Sequence, residues 1–145
     1  MKVVVASDHG GFEYKEEVKK YLEKKGIEVL DVGCFSKESA SWSEFGSKAA
    51  MKVAQKEADF GVVICRSGVG VCLAANKVKG AYCGLAYNDV VASSMKQHDH
   101  CNMIAFGADY VKLDEMLHRI DLFLEAIPED GRHLERFKTL QKIEK

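Results

Sequence analysis

The sequence predicts an α/β protein, a Rossmann-like three-layer αβα sandwich around a five-stranded parallel sheet. Two observations predict this fold. Strand-like and helix-like segments alternate along the 145 residues. The strand-like segments are short and mostly apolar, as expected for a parallel sheet that is covered on both faces. A chain of this length corresponds to about one domain, so we expect residues 1–145 to form a single domain.

The first part of the chain contains two predicted strands and two predicted helices. Lys2–Ala6 is a valine-rich run typical of a strand, and a polar, glycine-containing turn ends it. Phe12–Lys25 has apolar residues near helical spacing among lysines and glutamates, and Gly26 ends this helix. Ile27–Val32 is the second strand. Trp42–Glu57 follows a loop and has one apolar stripe, which predicts a helix.

The alternation continues to the C-terminus, where Pro128 and Gly131 separate the last long helix from a charged tail. The predicted strands of this part are Phe60–Cys65, Ala81–Ala86 and Met103–Phe106. The predicted helices are a short one ending at Lys77, then Asp89–Gln97, Leu113–Ala126 and the tail 132–145.

Composition and charge exclude several classes of protein. Lysine and arginine number 21 against 22 aspartates and glutamates, so the basic excess typical of a nucleic-acid binder is absent. The five cysteines include no C-x-x-C pair of the zinc or redox kind. The apolar run Val3–Ala6 is too short for a signal peptide, and no stretch approaches about 18 apolar residues. We therefore expect a cytoplasmic protein with free thiols and with neither a nucleic-acid nor a membrane partner.

Sheets of this kind bind ligands beyond the carboxyl ends of their strands, where the strand order reverses. Four turns of the sequence are expected to reach that edge. They are Ser7–His9, Cys65–Gly68, Tyr87–Asn88 and Gly107–Asp109.

The most informative segment is the glycine-rich turn ICRSGVG after the third strand. Gly68 and Gly70 allow positive φ and close backbone approach, and the free N–H groups of the following helix favour an anion. The same field favours the thiolate form of Cys65. A buried cysteine followed by a tight turn accounts for the same residues, so this chemistry alone leaves both interpretations open.

Two other polar segments offer candidate site residues. Asp8 is placed to orient a sugar hydroxyl and His9 to face a phosphate, although an aspartate here also caps the next helix. His98 offers a general base that titrates near neutral pH. A metal is not expected, because His98 and His100 would face apart on a helix and no third ligand is evident.

The tail and the single tryptophan have simple alternative explanations. Arg132 and Arg136 are four residues apart on one helical face, and arginine forks suit phosphate oxygens. A solvated tail explains the two arginines equally simply. Trp42, the only tryptophan, is most simply a core or interface residue. The remaining cysteines, interpreted as structural, are Cys34, Cys72, Cys83 and Cys101.

Taken together, these segments resemble the ribose-5-phosphate isomerase type B family, which includes the galactose-6-phosphate isomerase subunits. The matching segments are SDHGGFEYKEEV, DVGCFSKES, ADFGVVICRSGVGVCLAANKVKG, HDHCN and DGRHLERF. They occur in the family's order and spacing across essentially the whole chain, and the central one is specific.

The resemblance implies a homodimeric enzyme, or a dimer of dimers, that needs no metal or organic cofactor. It would interconvert an aldose phosphate and a ketose phosphate through a cis-enediolate, with ribose 5-phosphate and ribulose 5-phosphate as the default pair. The active site would be shared, with the His98 segment reaching it from the second subunit. The C-terminal tail, about residues 127–145, would pack on the dimer partner.

Carried over by position, Cys65 would be the base that moves the proton between C2 and C1 of the sugar. Ser67, Gly68 and Gly70 would hold the enediolate through a hydroxyl and backbone N–H donors. Some relatives use a glutamate just after the glycine loop. This chain has Val71 there, so Cys65 is the only candidate base of the two.

The resemblance also implies roles for residues outside the loop. Asp8 would bind substrate hydroxyls, and His9 would help to bind the phosphate. His98 would assist the opening of the sugar ring. Arg132 and Arg136 would bind the phosphate.

The chain departs from the family's usual pattern at several positions near the site. Trp42 stands where a tyrosine is thought to help ring opening, and an indole N–H donates but cannot relay a proton. Arg66 adds a charge at the rim of the pocket. Asp99 replaces a neutral substrate-binding amide. Asp109 replaces an arginine that commonly faces the phosphate.

The change at position 109 moves the local charge by two units, unless Arg66 points inward and compensates. A single charge at about 4 Å and an effective dielectric near 20 is worth about 4 kcal/mol. The alternatives are therefore an isomerase for a different sugar phosphate or an unphosphorylated sugar, and a catalytically silent binding protein. A thiol redox protein is disfavoured, because no resolving cysteine lies near Cys65.

Overall fold

The computed structural model describes residues 1–144. The strands are β1 (Lys2–Ser7), β2 (Glu28–Asp31), β3 (Phe60–Cys65), β4 (Cys83–Leu85) and β5 (Met103–Gly107). The helices are α1 (Phe12–Lys24), α2 (Trp42–Ala54), α3 (Val69–Asn76), α4 (Asp89–Gln97), α5 (Leu113–Glu125) and α6 (Arg132–Ile143). A short 3-10 turn, His9–Gly11, connects β1 to α1.

The five strands form one sheet in the order β2-β1-β3-β5-β4, and every neighbouring pair is parallel. Each strand is followed by a helix that returns the chain to the other end of the sheet, which is the connection that parallel strands require. The predicted fold class, an αβα sandwich with a five-stranded parallel sheet, is confirmed.

Helices cover both faces of the sheet. On one face, α1, α4 and α5 bury Leu22, Met95 and Phe123 in a common apolar cluster. On the other face, α2 and α3 bury Ala50 and Val71 in a second cluster. Burying one large apolar side chain contributes about 1.5–3 kcal/mol. These two clusters therefore hold the helices against the sheet and fix the positions of the turns at the ends of its strands.

The fourth strand is shorter than the predicted Ala81–Ala86. Only Cys83–Leu85 has strand geometry. The Tyr82 N–H donates to the Asn102 side-chain oxygen at 2.8 Å instead of pairing with a strand. This side-chain hydrogen bond ends the ladder early, and the edge position of β4 leaves no second neighbour to extend it.

Several helices also end earlier than expected, two of them by more than one residue. The second helix ends at Ala54 rather than Glu57, because Lys56 adopts a positive φ of 64° that no helix can include. The tail helix α6 ends at Ile143, and the last residue of the predicted range lies outside the described residues. None of the described helices is both long and apolar enough to cross a bilayer.

Helix α6 differs from the others because none of its side chains is buried. It contacts the body of the chain through Phe137, whose ring meets Tyr82 edge-on at 4.7 Å and stacks on His100 at 5.0 Å between ring centroids. Leu140 and Ile143 of the same helix are exposed. The tail is therefore held by these aromatic contacts and by the stacking of His133 on His98, and it presents apolar side chains outward.

Candidate active site

The turns predicted to carry ligands meet at one edge of the sheet. Strands β1 and β3 are neighbours, so the strand order reverses between them. The register pairs Ser7 with Ile64 and Cys65 with Gly107. The Asp8 N–H donates to the Ile64 carbonyl at 3.2 Å. The residues after β1, β3 and β5 are thereby brought together beyond the carboxyl ends of their strands.

Cys65 lies at the centre of this edge and is only 3% exposed. The Gly68 N–H donates to its Sγ at 3.2 Å. Gly68 has a φ of +81°, and a Cβ there would lie 2.6 Å from Leu85 Cδ1 and 2.8 Å from the Phe106 carbonyl carbon. Only glycine fits this position. The turn thus aims a backbone donor at the sulfur, and such a donor stabilises a negative charge on it.

We call residues 66–70, which follow Cys65, the donor loop. This loop runs into the first turn of α3. The Val69 N–H donates to Ser67 Oγ at 3.2 Å, so this hydroxyl caps the helix that follows. A Cβ on Gly70 would lie 2.6 Å from Trp42 Cδ2, so the indole lies directly against the first turn of α3. Trp42 is 44% exposed. It therefore covers the donor loop while half-exposed. Of the two expectations for Trp42, a core residue is excluded within this chain and an interface residue stays a prediction.

Asp8 and His9 are fixed by the turn before α1. Asp8 is buried, and its Oδ1 accepts from the N–H groups of Gly10 at 2.9 Å and Gly11 at 3.1 Å. The capping role expected for Asp8 is confirmed at the 3-10 turn rather than at α1 itself. The Ala40 N–H donates to His9 Nδ1 at 3.1 Å. The Ala40 carbonyl oxygen lies 3.2 Å from the same nitrogen, so the Ala40 backbone occupies Nδ1 and leaves Nε2 as the ring nitrogen free to face a ligand.

A cavity of about 380 Å³ opens beside these groups. Its lining residues are His9, Gly10, Glu13, Tyr14, Lys37, Arg66, Ala108 and Asp109. Arg66 Nη1 lies 3.7 Å from Asp109 Oδ1. Lys37 pairs with Glu13 and lowers the pKa of that carboxyl. Two of the three charged residues that depart from the family's pattern, Arg66 and Asp109, therefore line this cavity and face each other.

The remaining predicted residues gather in a second place, between α4 and α6. A cavity of about 280 Å³ there is lined by His98, Asp99, His133, Arg136, Phe137 and Leu140. Arg132 is the first residue of α6. Within the described residues, no lining residue of this cavity also lines the cavity beside Cys65. One chain thus carries the two groups of predicted residues at separate positions.

Two residues that contact His98 in this second place, His133 and Glu129, have no role in the sequence-based interpretation. His133 stacks on His98 with ring centroids 4.3 Å apart, and Glu129 lies 3.7 Å from His98 Nε2 and 3.6 Å from His133 Nε2. His133 belongs to the DGRHLERF segment, which was a usable signal, whereas nothing in the sequence indicated Glu129. Their ligand atoms lie within 4.8 Å of one another, so these three residues are the set that could hold a metal ion.

The turn after β4 contributes less than its position predicts. Asn88 caps α4 by accepting from the Val91 N–H at 2.8 Å, which occupies its side chain. Tyr87 lines a separate cavity of about 280 Å³ together with Ser67 and Gly107. Asn88 is therefore a structural residue, and Ser67 lines the cavity beside Tyr87 rather than the one lined by His9 and Arg66.

The cysteines other than Cys65 sit in differing surroundings, and all five are free thiols. Burial raises the pKa of Cys101 to about 12. Hydrogen bonding with Cys72 and burial raise the pKa of Cys83, while the same contact lowers the pKa of Cys72. Cys34 is buried, with Ser7 Oγ 3.7 Å from its sulfur. None of these four lines the cavity beside Cys65.

Comparison with known proteins identifies the family. The profile described as Ribose/Galactose Isomerase matches residues 3–140. The chain belongs to the ribose/galactose isomerase family. The resemblance seen in the sequence motifs is thereby confirmed.

Relatives in the ribose/galactose isomerase family match over almost their whole length. The chain is 36% identical to ribose-5-phosphate isomerase B of Escherichia coli over 143 residues, covering 99% of this chain and 96% of that protein. The structure of Clostridium thermocellum ribose-5-phosphate isomerase B superposes with a TM-score of 0.98 at 39% identity, covering 99% and 97% of the two chains.

A third relative was solved with a sugar phosphate. Ribose-5-phosphate isomerase B from Mycoplasma genitalium, with bound ribulose-5-phosphate, superposes with a TM-score of 0.93 at 34% identity. The match covers 97% of this chain and 94% of that one. One member of the ribose/galactose isomerase family with this fold therefore holds a ketose phosphate.

Proposed function

We propose that this protein is an aldose–ketose isomerase that interconverts ribose 5-phosphate and ribulose 5-phosphate. The observation that carries the proposal is the placement of Cys65. Its buried sulfur lies at the switch point of the sheet, with the Gly68 N–H aimed at it and a helix start directly after. The relatives named ribose-5-phosphate isomerase B support the choice of substrate.

The isomerisation needs a base beside C2 and a site for negative charge on the carbonyl oxygen. The Cys65 thiolate removes the C2 proton, a double bond forms between C1 and C2, and the C1 carbonyl oxygen becomes an oxyanion. The thiol then returns the proton to C1, while the proton of the C2 hydroxyl moves to the C1 oxygen and leaves a ketone at C2. The Cys65 thiolate is regenerated, and the reaction consumes no oxidant, reductant or net proton.

The loop after Cys65 supplies the groups that stabilise the cis-enediolate. Ser67 offers a hydroxyl, and the backbone of Gly68 and Gly70 offers N–H donors at the start of α3, where the helix dipole is positive. Donors fixed in advance around a developing oxyanion are worth about 2.7–4 kcal/mol each. The packing of Trp42 on Gly70 keeps the loop in place and shields one side of it from water.

The cavity beside Cys65 is proposed to hold the substrate. His9 lines it at the end of β1, directly after Asp8, and Nε2 of His9 is proposed to face a phosphate or hydroxyl oxygen. Asp8 already accepts two backbone hydrogen bonds through Oδ1. Its second oxygen, Oδ2, is the acceptor proposed for a sugar hydroxyl.

The second group of residues is proposed to act on the cavity of another subunit. His98 would assist ring opening, Asp99 would contact the substrate, and Arg132 and Arg136 would bind the phosphate. Within one chain His98, Asp99 and Arg136 line one cavity, and His9 and Arg66 line another. A homodimer with two shared sites brings the two groups together, and a dimer of dimers contains the same unit.

Features of the tail and the core support the remaining parts of the proposal. Helix α6 has no buried side chain and exposes Leu140 and Ile143, which suits a tail from residue 127 onward that packs on a partner. One sheet with an apolar cluster on each face suits a single domain over residues 1–145. Five free thiols suit the reducing cytoplasm.

The test is proton NMR in D2O with ribose 5-phosphate, other aldose phosphates and free aldoses. Loss of the C2 proton of ribose 5-phosphate with growth of ribulose 5-phosphate is the expected result. Turnover of another sugar alone would keep the chemistry and replace the substrate. No exchange with any sugar would contradict the proposal and favour a binding protein on this fold.

A further inference from the structure

The cavity beside Cys65 contains a guanidinium whose N–H groups have no hydrogen-bond partner within residues 1–144. Arg66 is 63% exposed along its side chain, and its Nη1 lies 3.7 Å from Asp109 Oδ1. That separation is an ion-pair contact and is too long for a hydrogen bond. The fork of Arg66 can therefore offer parallel donors to a planar or tetrahedral anion.

The path of the Arg66 side chain is set by its contact with Gly10. A Cβ on Gly10 would lie 2.4 Å from Arg66 Cγ and 3.3 Å from Arg66 Cδ. The stem of Arg66 thus occupies the space that any larger residue at position 10 would fill. Because Arg66 follows Cys65 directly, the turn that holds the thiol also directs this guanidinium into the cavity.

The other charges that line the cavity are less available to a ligand. Lys37 is paired with Glu13, and this pair joins α1 to the loop before α2. Asp109 is a fixed negative charge that an incoming anion must face. Arg66 is consequently the cation with directed, unoccupied donors, and Asp109 is the charge that opposes anion binding.

We propose that Arg66 binds the phosphate of the substrate in this chain, and that Asp109 positions Arg66 and limits the affinity for the phosphate. The inference rests on the proposed function, because only a phosphorylated sugar brings to this cavity the anion that Arg66 would bind. Arg66 acts from the same subunit as Cys65, and Arg132 and Arg136 complete the phosphate site from the partner.

Opposite effects are expected for the two members of the pair. Arg66→Gln weakens binding of ribose 5-phosphate at least about tenfold, the loss typical of one charge-assisted hydrogen bond. Asp109→Asn tightens binding several-fold, because a negative charge near the phosphate is removed. General damage to the fold weakens binding in both variants, so a gain in Asp109→Asn separates the electrostatic explanation from a structural one.

A third variant tests the path of the side chain. Gly10→Ala keeps the guanidinium in the protein and leaves the Gly10 N–H able to donate to Asp8. The added methyl group displaces the Arg66 stem from its position over residue 10. The variant is expected to raise the Kd for ribose 5-phosphate in the same direction as Arg66→Gln.

The experiment is calorimetry of the intact protein with ribose 5-phosphate and with inorganic phosphate, together with the KM for isomerisation. Lys52→Gln is the matched control. It also removes one positive charge from an ion pair, the pair of Lys52 with Glu57 at the C-terminal end of α2. Arg66→Gln is expected to raise the Kd and the KM while kcat changes less, and Lys52→Gln is expected to change neither.

Each outcome decides the inference separately from the proposed function. Equal Kd values for the wild type, Arg66→Gln and Lys52→Gln would overturn it, and would make the Arg66–Asp109 contact a surface ion pair only. Weaker binding in Asp109→Asn would overturn the role of Asp109. If the wild type isomerises no sugar, the proposed function fails while the calorimetry still decides on Arg66. Absence of phosphate binding by the wild type would overturn the inference.

Discussion

At the scale of single residues, two glycines with the same backbone conformation have very different surroundings. Gly26 has a φ of +80° and Gly68 a φ of +81°. Nothing lies within 4 Å of a Cβ placed on Gly26, whereas a Cβ on Gly68 would meet Leu85 and the backbone of Phe106. The pair separates the cost of backbone strain from the cost of a steric clash.

We expect Gly26→Ala to lower the free energy of unfolding by about 1–2 kcal/mol, from the left-handed conformation alone. Gly68→Ala is expected to cost more, at least about 3 kcal/mol, because backbone atoms that cannot move aside add to the strain. Urea denaturation of both variants measures the difference. Equal losses would mean that the turn at Gly68 tolerates a side chain and that its geometry does not fix the donor to Cys65.

Single residues also show where sequence reasoning succeeds and where it stops. Cys65, Gly68 and Gly70 were predictable, because a strand end, a glycine turn and a helix start are local features of the sequence. Glu129 was not, because it meets His98 and His133 only through the packing of α6. That Asp109 faces Arg66 depends in the same way on the pairing of β3 with β5.

At the scale of elements, the position of α3 depends on how α2 packs against it. Gly46 and Gly70 both allow close approach: a Cβ on Gly46 would lie 2.9 Å from Ala74 Cβ, and one on Gly70 would lie 2.6 Å from Trp42 Cδ2. The first turns of the two helices therefore meet at the tryptophan. The donor loop before α3 is held by this contact.

We expect Gly70→Ala to push Trp42 away from α3 and to lower kcat about tenfold or more, because the loop donors lose their alignment. The readouts are the isomerase rate and the fluorescence of Trp42, the only tryptophan of the chain. Adding Trp42→Ala to Gly70→Ala makes room for the methyl group and is expected to restore part of the rate. An unchanged rate and spectrum in the single variant would contradict the proposed contact.

The elements themselves were largely predictable from periodicity. All five predicted strands and the long helices are present, because each carries its own apolar pattern and its own stop signal. The errors lie at ends that other parts of the chain determine. β4 is shortened by the Asn102 side chain, and the turn His9–Gly11 is stabilised by Asp8, so neither is visible in a local hydrophobic pattern.

At the scale of the whole molecule, the two groups of proposed site residues lie at different places on the same chain, with His9 and Arg136 lining separate cavities. A dimer with two-fold symmetry makes both contacts reciprocal, since each chain gives its tail to the other's cavity. A defect at Cys65 and a defect at Arg136 would then lie in different chains of any one site. This arrangement can be tested by mixing inactive variants.

We expect Cys65→Ala and Arg136→Ala to be nearly inactive when each is purified alone. Equal amounts, unfolded and refolded together, form mixed dimers that contain one intact and one doubly defective site. The expected isomerase activity is about a quarter of that of the wild type, because half of the dimers are mixed and each has one working site. Activity no greater than the sum of the separate variants would show that each chain builds its own site.

The most direct measurement is the exchange of the C2 proton of ribose 5-phosphate in D2O by wild-type protein, Cys65→Ala and Cys83→Ala. Cys83→Ala is the matched control, because it removes another buried thiol from the same apolar cluster, outside the glycine turn that follows Cys65. We predict that Cys65→Ala lowers the exchange rate at least about a thousandfold with little change in the Kd for ribose 5-phosphate, while Cys83→Ala retains exchange. Wild-type exchange that persists in Cys65→Ala would contradict the assignment of Cys65 as the base.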